Sequence, residues 1–206
     1  MKHKVVFDIG ANWGEDSLQL TSLDPNISAY AFEPTPELYE HLKIASRSFK
    51  ERYNLYRIAL SDFNGTAAFN VAAHDDWGTS SLLKFNDRLN ETWPGRTDFY
   101  VDRVIDVAVL RFDTWFEIAK PKIEKIDFFH CDTQGSDLRV LKGMGDLFEM
   151  IVEGVVEVPH NDRVKLYQDQ HSREEMYDFL SDWGYEVFDV KPQQNEDNIF
   201  FRKKYK

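Results

Sequence analysis

Residues 5–16 read Val-Val-Phe-Asp-Ile-Gly-Ala-Asn-Trp-Gly-Glu-Asp, and this stretch decides the fold. Its apolar run predicts a buried strand, its two glycines predict a tight turn, and the residues after them favour a helix. A second apolar run, residues 27–32, ends at Glu33. An acid at the tip of the second strand of such a unit can accept hydrogen bonds from ribose hydroxyls. The two features together predict a nucleoside-containing ligand.

In the first third of the chain, predicted strands alternate with predicted helices. Strands are predicted at residues 4–9, 27–32 and 53–58, with helices at 14–22 and 36–48 between them. This βαβαβ order is typical of a doubly wound parallel sheet.

An irregular region follows, with strand-like patches near residues 66–71 and 99–111. A helix over residues 114–119 comes next, with Asp113 as its predicted cap and Pro121 as its end.

The remaining elements are strands at 126–131 and 151–158, helices at 136–141 and 172–182, and two last strands at 185–190 and 199–202. We expect the last two strands to form an antiparallel hairpin at the sheet edge. The predicted fold class is α/β and Rossmann-like, with a seven-stranded, mostly parallel sheet, one antiparallel edge strand and helices on both faces.

The composition limits the classes of partner. A chain of 206 residues fits one domain, 1–206. The formal charge of -11 repels phosphate backbones, so nucleic acid is not an expected partner. The single cysteine, Cys131, excludes an internal disulfide framework, and a secretory leader is not apparent, so we expect a cytoplasmic protein. No apolar stretch approaches the roughly 18 residues of a membrane span.

Polar side chains follow the predicted strands, where ligands of an open parallel sheet bind. They are Asp8 and Gly10, Glu33, Ser61 and Asp62, Asp132 and Gln134, and Glu157 and His160.

The turn at residues 10–14 lacks the GxGxxG spacing that suits a pyrophosphate, and acids flank it on both sides. These acids favour a cationic or neutral ligand such as S-adenosylmethionine, with its sulfonium and ammonium groups. A tight turn with no ligand is the alternative.

The sequence resembles the FkbM family of S-adenosylmethionine-dependent methyltransferases. The segments that carry this resemblance are residues 7–12, 31–34, 59–62, 79–82, 110–115 and 127–143. The resemblance implies a seven-stranded methyltransferase fold and methylation of a hydroxyl, commonly on a sugar or a polyketide.

Carried over residue by residue, the resemblance also implies cofactor contacts. It implies that the methionine part of the cofactor lies along Asp8, Gly10 and Asn12, the ribose at Glu33, and the adenine near Ser61 and Asp62. An Asx-turn with Asn64 is the alternative for Asp62.

The chain departs from the family pattern after the fourth strand. The family usually has lysine, a hydrophobic residue, aspartate, any residue, glutamate and glycine, whereas this chain has His-Cys-Asp-Thr-Gln-Gly at residues 130–135. Asp132 is retained, but His130 replaces the lysine and Gln134 replaces the glutamate. The family resemblance therefore predicts the geometry of the acceptor site less directly than that of the cofactor site.

Methyl transfer needs an acceptor oxygen held in line with the methyl carbon and a group that takes the hydroxyl proton. Asp132 is the first candidate base and is also expected to contact the cofactor. His130, Glu157 and His160 are the lower-ranked candidates. A packed core histidine is the alternative for His130, and a helix cap is the alternative for Asp132. Cys131 is expected to be a small buried residue.

A divalent cation held by Asp132, Glu157 and His160 is a further alternative, but their spacing is not diagnostic and we do not favour it.

The acceptor side is expected in residues 74–103, with Trp77, Ser80, Ser81, Trp93 and Tyr100, because aromatic faces and hydroxyls suit carbohydrate. Gln134 and His160 are further candidate contacts to the substrate. Aromatic residues that cover the sheet as core are the alternative. The narrowest expectation for the acceptor is a deoxyhexose such as rhamnose within a glycan.

Two other functions stay open at this point. An NAD-dependent oxidoreductase also uses an acid after the second strand, although the third glycine is missing. A cofactor-binding module without catalysis fits the departures at His130 and Gln134. Because the chain starts almost at its first strand, we expect a minimal catalytic domain that works within a larger polypeptide or assembly, for example with glycosyltransferase domains.

Overall fold

The computed structural model describes residues 3–160, 163 and 165–204. Its strands are β1 (Lys4–Ile9), β2 (Ile27–Phe32), β3 (Tyr53–Tyr56), β4 (Ala59–Ser61), β5 (Gly65–Ala72), β6 (Val101–Arg111), β7 (Phe128–Cys131), β8 (Glu153–Pro159), β9 (Tyr185–Pro192) and β10 (Glu196–Lys203). Its α-helices are α1 (Ser17–Leu23), α2 (Pro36–Ala45), α3 (Leu89–Thr92), α4 (Phe112–Ala119), α5 (Asp137–Gly143) and α6 (Arg173–Asp182). Short 3₁₀ segments lie at Arg47–Phe49, His74–Thr79 and Gly145–Met150.

Within the described residues, seven strands form the main sheet in the order β3-β2-β1-β7-β8-β10-β9. In this sheet β3, β2, β1, β7 and β8 are parallel to one another. Strand β10 is antiparallel to both β8 and β9. The predicted doubly wound sheet with one reversed strand is confirmed, and the predicted hairpin closes its edge. The reversed strand lies between β8 and β9, so β9 is outermost.

A small second sheet has the order β4-β6-β5. Strands β5 and β6 confirm the two strand-like patches of the irregular region. The strand predicted at residues 53–58 ends instead at Tyr56, because the chain leaves the main sheet there and pairs with β6 from Ala59 onward. This change of sheet positions residues 58–60 beside the ends of β1 and β2.

Two predicted helix starts are wrong. Helix α1 begins at Ser17 rather than at residue 14, because Gly14 is in the left-handed region with φ +80° and its N–H closes a turn on the carbonyl of Ala11. Helix α4 begins at Phe112, and Arg111 occupies the cap position that was predicted for Asp113. The Asp113 carboxylate lies in the first turn and accepts a hydrogen bond from the Arg111 Nε at 3.0 Å.

Aromatic side chains fill the core on one side of β1. The Phe7 ring is fully buried and lies 5.3 Å from that of Phe112 and 5.7 Å from that of Trp115. Cys131, on β7, is also buried, as expected, and burial raises the pKa of its thiol. This packing holds β1 and β7 side by side, so that their carboxyl ends meet at one edge. In the described part of the chain, no helix is long and apolar enough to cross a bilayer.

Candidate active site

A cleft opens at the carboxyl ends of β1, β2 and β7, where the strand order reverses. Its volume is about 530 Å³, including its open mouth, which is in the range of small-molecule sites. Seven of the residues predicted for the site line it: Gly10, Asn12, Glu33, Trp77, Ser80, Asp132 and Gln134. The others lie outside its lining.

The glycine turn lets three strand ends approach one another. Gly10 has φ +85°, and its N–H donates to the Phe32 carbonyl at 3.0 Å. A β-carbon on Gly10 would stand 1.9 Å from the carbonyl oxygen of Asp132. Asn12 is also in the left-handed region, with φ 47°. The turn therefore requires glycine at position 10 because of both its φ and its close contact.

Glu33 lies buried at the tip of β2 and lines the cleft. One carboxylate oxygen accepts the N–H of Asn12 at 2.9 Å, and the other accepts the N–H of Thr35 at 2.7 Å. Burial raises the pKa of Glu33 to about 7, in spite of these hydrogen bonds. Each oxygen can accept a second hydrogen bond, so Glu33 can receive two neighbouring hydroxyls of a ribose.

Asp8 does not line the cleft. Its carboxylate is buried and is used within the protein, because one oxygen lies 2.8 Å from the Nδ1 of His130 and the other accepts the hydroxyl of Ser17. The arrangement anchors α1 and β7 to β1. Asp8 therefore shapes the turn from behind rather than facing the ligand.

His130 is not a candidate base, contrary to the expectation from sequence. Burial lowers its pKa, but the hydrogen bond and charge of Asp8, together with the charges of Asp16 and Asp132, outweigh burial and raise the pKa to about 9. The imidazole is therefore protonated at neutral pH and cannot accept a proton. The packed alternative considered for His130 describes it better, and its positive charge takes the place of the lysine of the family pattern.

Asp132 lines the cleft, and its carboxylate is oriented by Gln134. The Gln134 Nε2 donates to Asp132 at 2.6 Å and to Glu157 at 2.9 Å. Asp132 does not cap the next helix, since Ser136 occupies the cap position of α5. Glu157 lies behind this pair, and burial and the charges of Asp132 and other carboxylates raise its pKa well above the usual range. Among the four candidate bases, Asp132 lines the cleft, whereas His130, Glu157 and His160 do not.

Two further acids lie behind the cleft. Asp137 and Glu196 are both buried, and burial raises the pKa of Asp137 to about 7 and that of Glu196 to about 8. The Gln170 amide donates a hydrogen bond to Glu196. The buried acids at this edge of the sheet therefore have raised pKa values.

The cation site considered from sequence is not assembled. The Nδ1 of His160 lies 2.5 Å from an oxygen of Asp197, which also pairs with Arg173. This contact directs His160 away from Asp132 and Glu157. Among the described residues, no three His, Cys, Asp or Glu side chains are grouped as metal ligands.

The predicted acceptor segment divides between cleft and core. Trp77 and Ser80 line the cleft, whereas Ser81 is buried and donates through its hydroxyl to the Gln134 carbonyl at 2.7 Å. Trp93 packs into a small hydrophobic cluster, and Tyr100 is exposed. The side chains of residues 74–76 are outside the described residues. The core alternative is thus correct for Trp93.

Ser61 and Asp62 do not reach the cleft. The carbonyl oxygen of Ser61 faces α5, where a β-carbon on Gly143 would stand 2.1 Å from it, and Asp62 is exposed. The apolar wall is formed instead by residues that sequence reasoning missed: Leu38, Ile58, Leu60 and Phe69. The available signal was the apolar run directly before Ser61. These side chains suit the flat face of an adenine.

Several buried polar atoms of residues that line the cleft lack a hydrogen-bond partner among the described residues. The Asn12 Oδ1 and the Ser136 Oγ are buried, and neither has a hydrogen-bond partner among the described residues. Ser136 was also missed from sequence, because it was predicted as the first residue of a helix, whereas it occupies the cap position of α5 and its side chain makes no capping hydrogen bond. Orphaned buried polar atoms call for a ligand. With Glu33 for a ribose and an apolar wall for an adenine, the residues present fit S-adenosylmethionine.

Comparison with known proteins agrees with this fit. The family model described as the methyltransferase FkbM domain matches residues 8–187. A curated relative, the 2-O-methyltransferase NoeI of Sinorhizobium fredii (strain NBRC 101917 / NGR234), is 29% identical over 144 residues. The match covers 68% of this chain and 56% of the relative, so the chain spans about half the length of that protein.

Solved structures share the fold. The precorrin-6y C5,15-methyltransferase of Geobacter metallireducens GS-15 has a TM-score of 0.51 at 13% identity, over 100% of this chain and 82% of that one. A fibrillarin/Nop5p complex matches with a TM-score of 0.54 at 12% identity, over 98% of this chain and 73% of that one. Likeness at such low identity shows the fold alone.

Proposed function

This chain belongs to the FkbM family of methyltransferases, and from that premise we propose that it transfers a methyl group from S-adenosylmethionine to a hydroxyl of a sugar or glycan. One observation carries the proposal: Asp132, the first candidate base, lines the same cleft as Gly10 and Glu33. The name of the relative NoeI, a 2-O-methyltransferase, supports a hydroxyl as the acceptor.

The cofactor, when bound, supplies a methyl group on a positively charged sulfur. The missing side chain of Gly10 lets the main chain of Asp132 lie against the end of β1, and both residues line the cleft. Glu33 accepts the ribose hydroxyls, and Leu60 and Phe69 cover the adenine with apolar surface. Asn12 and Ser136 supply the unpartnered polar atoms for the methionine part.

Asp132 acts on the acceptor side. A hydroxyl that donates to its carboxylate is held at the cleft and loses its proton to it as the oxygen attacks. Such a base contributes about 10²- to 10⁴-fold to the rate. Positioning of the acceptor in line with the transferred methyl supplies the rest.

Trp77 and Ser80 support a carbohydrate as the acceptor. An aromatic face packs against the C–H groups of a sugar ring. The Ser80 hydroxyl donates to the Trp77 carbonyl and accepts the N–H of Ala72, so it can accept one further hydrogen bond from a ring substituent. Both side chains line the cleft. The narrowest proposal is a deoxyhexose such as rhamnose, whose methyl group adds apolar surface for Trp77.

Calorimetry tests the cofactor. We expect S-adenosylmethionine and S-adenosylhomocysteine to bind and NADH to produce no heat, because family membership argues against the nicotinamide alternative. Absence of binding by both sulfur ligands would remove the proposal.

Transfer from methyl-labelled cofactor to a panel of methyl glycosides, including methyl rhamnoside, tests the acceptor. Asp132→Asn should lower transfer by about 10²- to 10⁴-fold while affinity for S-adenosylhomocysteine is kept. Asp146→Asn, at an exposed position, is the matched control. Cofactor binding without transfer to any glycoside would favour a binding module without catalysis.

A further inference from the structure

Gln134 has an unusual backbone conformation at the edge of the cleft. Its φ is 54°, in the left-handed region that few residues other than glycine adopt. It precedes Gly135, which is also left-handed with φ +85°. Strain of this kind persists only where the surroundings hold the residue in place, and it is concentrated at functional sites.

The surroundings of Gln134 use every hydrogen-bonding group of its side chain. Its Nε2 donates to Asp132 at 2.6 Å and to Glu157 at 2.9 Å, and its Oε1 accepts the hydroxyl of Tyr167 at 2.7 Å. Its main-chain carbonyl accepts the hydroxyl of Ser81 at 2.7 Å. An amide can donate to two carboxyl groups and accept from a phenol at the same time, whereas an ionised glutamate at this position could donate to none.

Tyr167 connects this amide to the acceptor side. It is buried, and its ring stacks on Phe85 at 5.3 Å between centroids. The segment around it pairs with the chain near Phe85, through the N–H of Asn86 to the Leu166 carbonyl at 2.9 Å and the N–H of Gln168 to the Lys84 carbonyl at 2.8 Å. Movement of either segment would therefore shift Tyr167 and the amide of Gln134 that it contacts.

We propose that Gln134 is a positioning residue that holds the Asp132 carboxylate at the cleft and ties it to the two segments joined at Tyr167. This role deepens the proposed function and rests on it. It differs from direct contact with the substrate, which the sequence predicted for Gln134, because both N–H groups of the amide are donated to carboxyl groups of the protein.

The titratable groups that face Asp132 come from several elements. They are His130 and Cys131 on β7, Asp137 on α5, Glu157 on β8 and Glu196 on β10. Burial and neighbouring negative charges raise the pKa of Asp137, Glu157 and Glu196. The amide of Gln134 stands between Asp132 and Glu157 and, by donating to both, favours negative charge at the position that faces a cationic sulfur.

The selectivity of the cleft for a positively charged ligand measures this role without an acceptor. S-adenosylmethionine carries the sulfonium charge and S-adenosylhomocysteine does not, so the ratio of their dissociation constants reports the negative charge beside the sulfur. In Gln134→Leu, which keeps the size but not the donor, we expect the preference for S-adenosylmethionine to fall about tenfold at about pH 7, the effect of one hydrogen bond to a charged group. It should recover toward about pH 9, where the acids lose their protons.

Gln134→Glu and Tyr167→Phe are companion variants in case Gln134→Leu fails to fold, and Gln194→Leu, at an exposed position, is the matched control. Gln134→Glu should make the selectivity rise more steeply with pH, because its added carboxyl ionises beside Asp132. Tyr167→Phe should shift the preference in the same direction as Gln134→Leu but by a smaller factor.

The outcomes separate the two proposals. If the wild-type chain binds neither ligand, the proposed function fails and the positioning role fails with it. If the wild-type chain binds both but folded Gln134 variants keep its selectivity and pH dependence, only the positioning role is overturned. A merely structural role would weaken both ligands equally and leave the pH dependence unchanged, which also overturns it.

Discussion

Gly10 and Asp132 lie in direct contact although 122 positions separate them in the sequence. The neighbouring pair Asp8 and His130 has the same separation. A β-carbon on Gly10 would stand 1.9 Å from the Asp132 carbonyl oxygen. The contact joins the ligand turn of β1 to the residue proposed as the base. The distance between cofactor and acceptor sites therefore depends on the absence of a side chain at position 10.

Gly10→Ala should abolish cofactor binding and lower the free energy of unfolding by about 3 kcal/mol or more, because a clash with main chain adds to the cost of φ +85°. Gly95→Ala is the matched control. Gly95 has φ +80° but no atom within 4 Å of a β-carbon, so only the backbone cost of about 1–2 kcal/mol is expected there. Denaturant unfolding and calorimetry measure both. Equal effects of the two substitutions would contradict the importance of the Gly10 contact.

Glu33→Ala should weaken binding of S-adenosylmethionine by about 1–3 kcal/mol, because hydrogen bonds from the ribose to a charged group are lost. Calorimetry measures the change. Glu33 also accepts the main-chain N–H groups of Asn12 and Thr35, so Glu33→Gln, which retains one oxygen, separates folding from binding. Exposed Glu40→Ala is the control. Unchanged affinity in folded Glu33 variants would remove the ribose assignment.

His130→Lys should retain most of the stability, whereas His130→Ala should lose about 3–5 kcal/mol, because it leaves the buried carboxylate of Asp8 without its cation. Urea unfolding at neutral pH compares the variants. His41→Ala, at an exposed position, should change stability by less than about 0.5 kcal/mol. A stable His130→Ala protein would show that the charge on this imidazole does not matter to the fold.

The ligand-free protein should lose stability as the pH rises from about 4 to about 9. Burial raises the pKa of Glu33 and of Asp137 to about 7 and that of Glu196 to about 8, above their unfolded values. The pKa of His130 is raised to about 9. A raised pKa means stability that is present below the unfolded pKa and is lost as the pH passes the folded one, at about 1.4 kcal/mol for each unit of the shift.

On the acid side, burial lowers the pKa of His171 to about 4, so its contribution is lost as the pH falls from its unfolded pKa toward that value. Between about pH 4 and pH 6.5 the contribution of His171 opposes that of the buried acids, so the loss toward pH 9 is the clearer part of the profile. Thermal unfolding across the pH range checks the profile, and Glu196→Gln should flatten its alkaline limb. A melting temperature that rises toward pH 9 would contradict the assignment of buried protons.

The sequence by itself determined the doubly wound sheet, the turn at Gly10 and the acid at Glu33. These features depend on local chemistry, since periodicity defines strands and helices, and a left-handed turn requires glycine. The motif at residues 130–135 likewise identified Asp132. Such patterns do not predict the course of the chain after Tyr56, where it leaves the main sheet. As a result, Leu60 lines the cleft and Ser61 does not.

Only the tertiary structure decided which polar groups carry charge and which of them face the ligand. His130 is cationic because Asp8 lies beside it, and burial and neighbouring carboxylates raise the pKa of Glu157. Gln134 bridges Asp132 and Glu157 because β7 and β8 are neighbours in the sheet. Burial and the partners brought together by folding set protonation and orientation, and these depend on residues far apart along the chain.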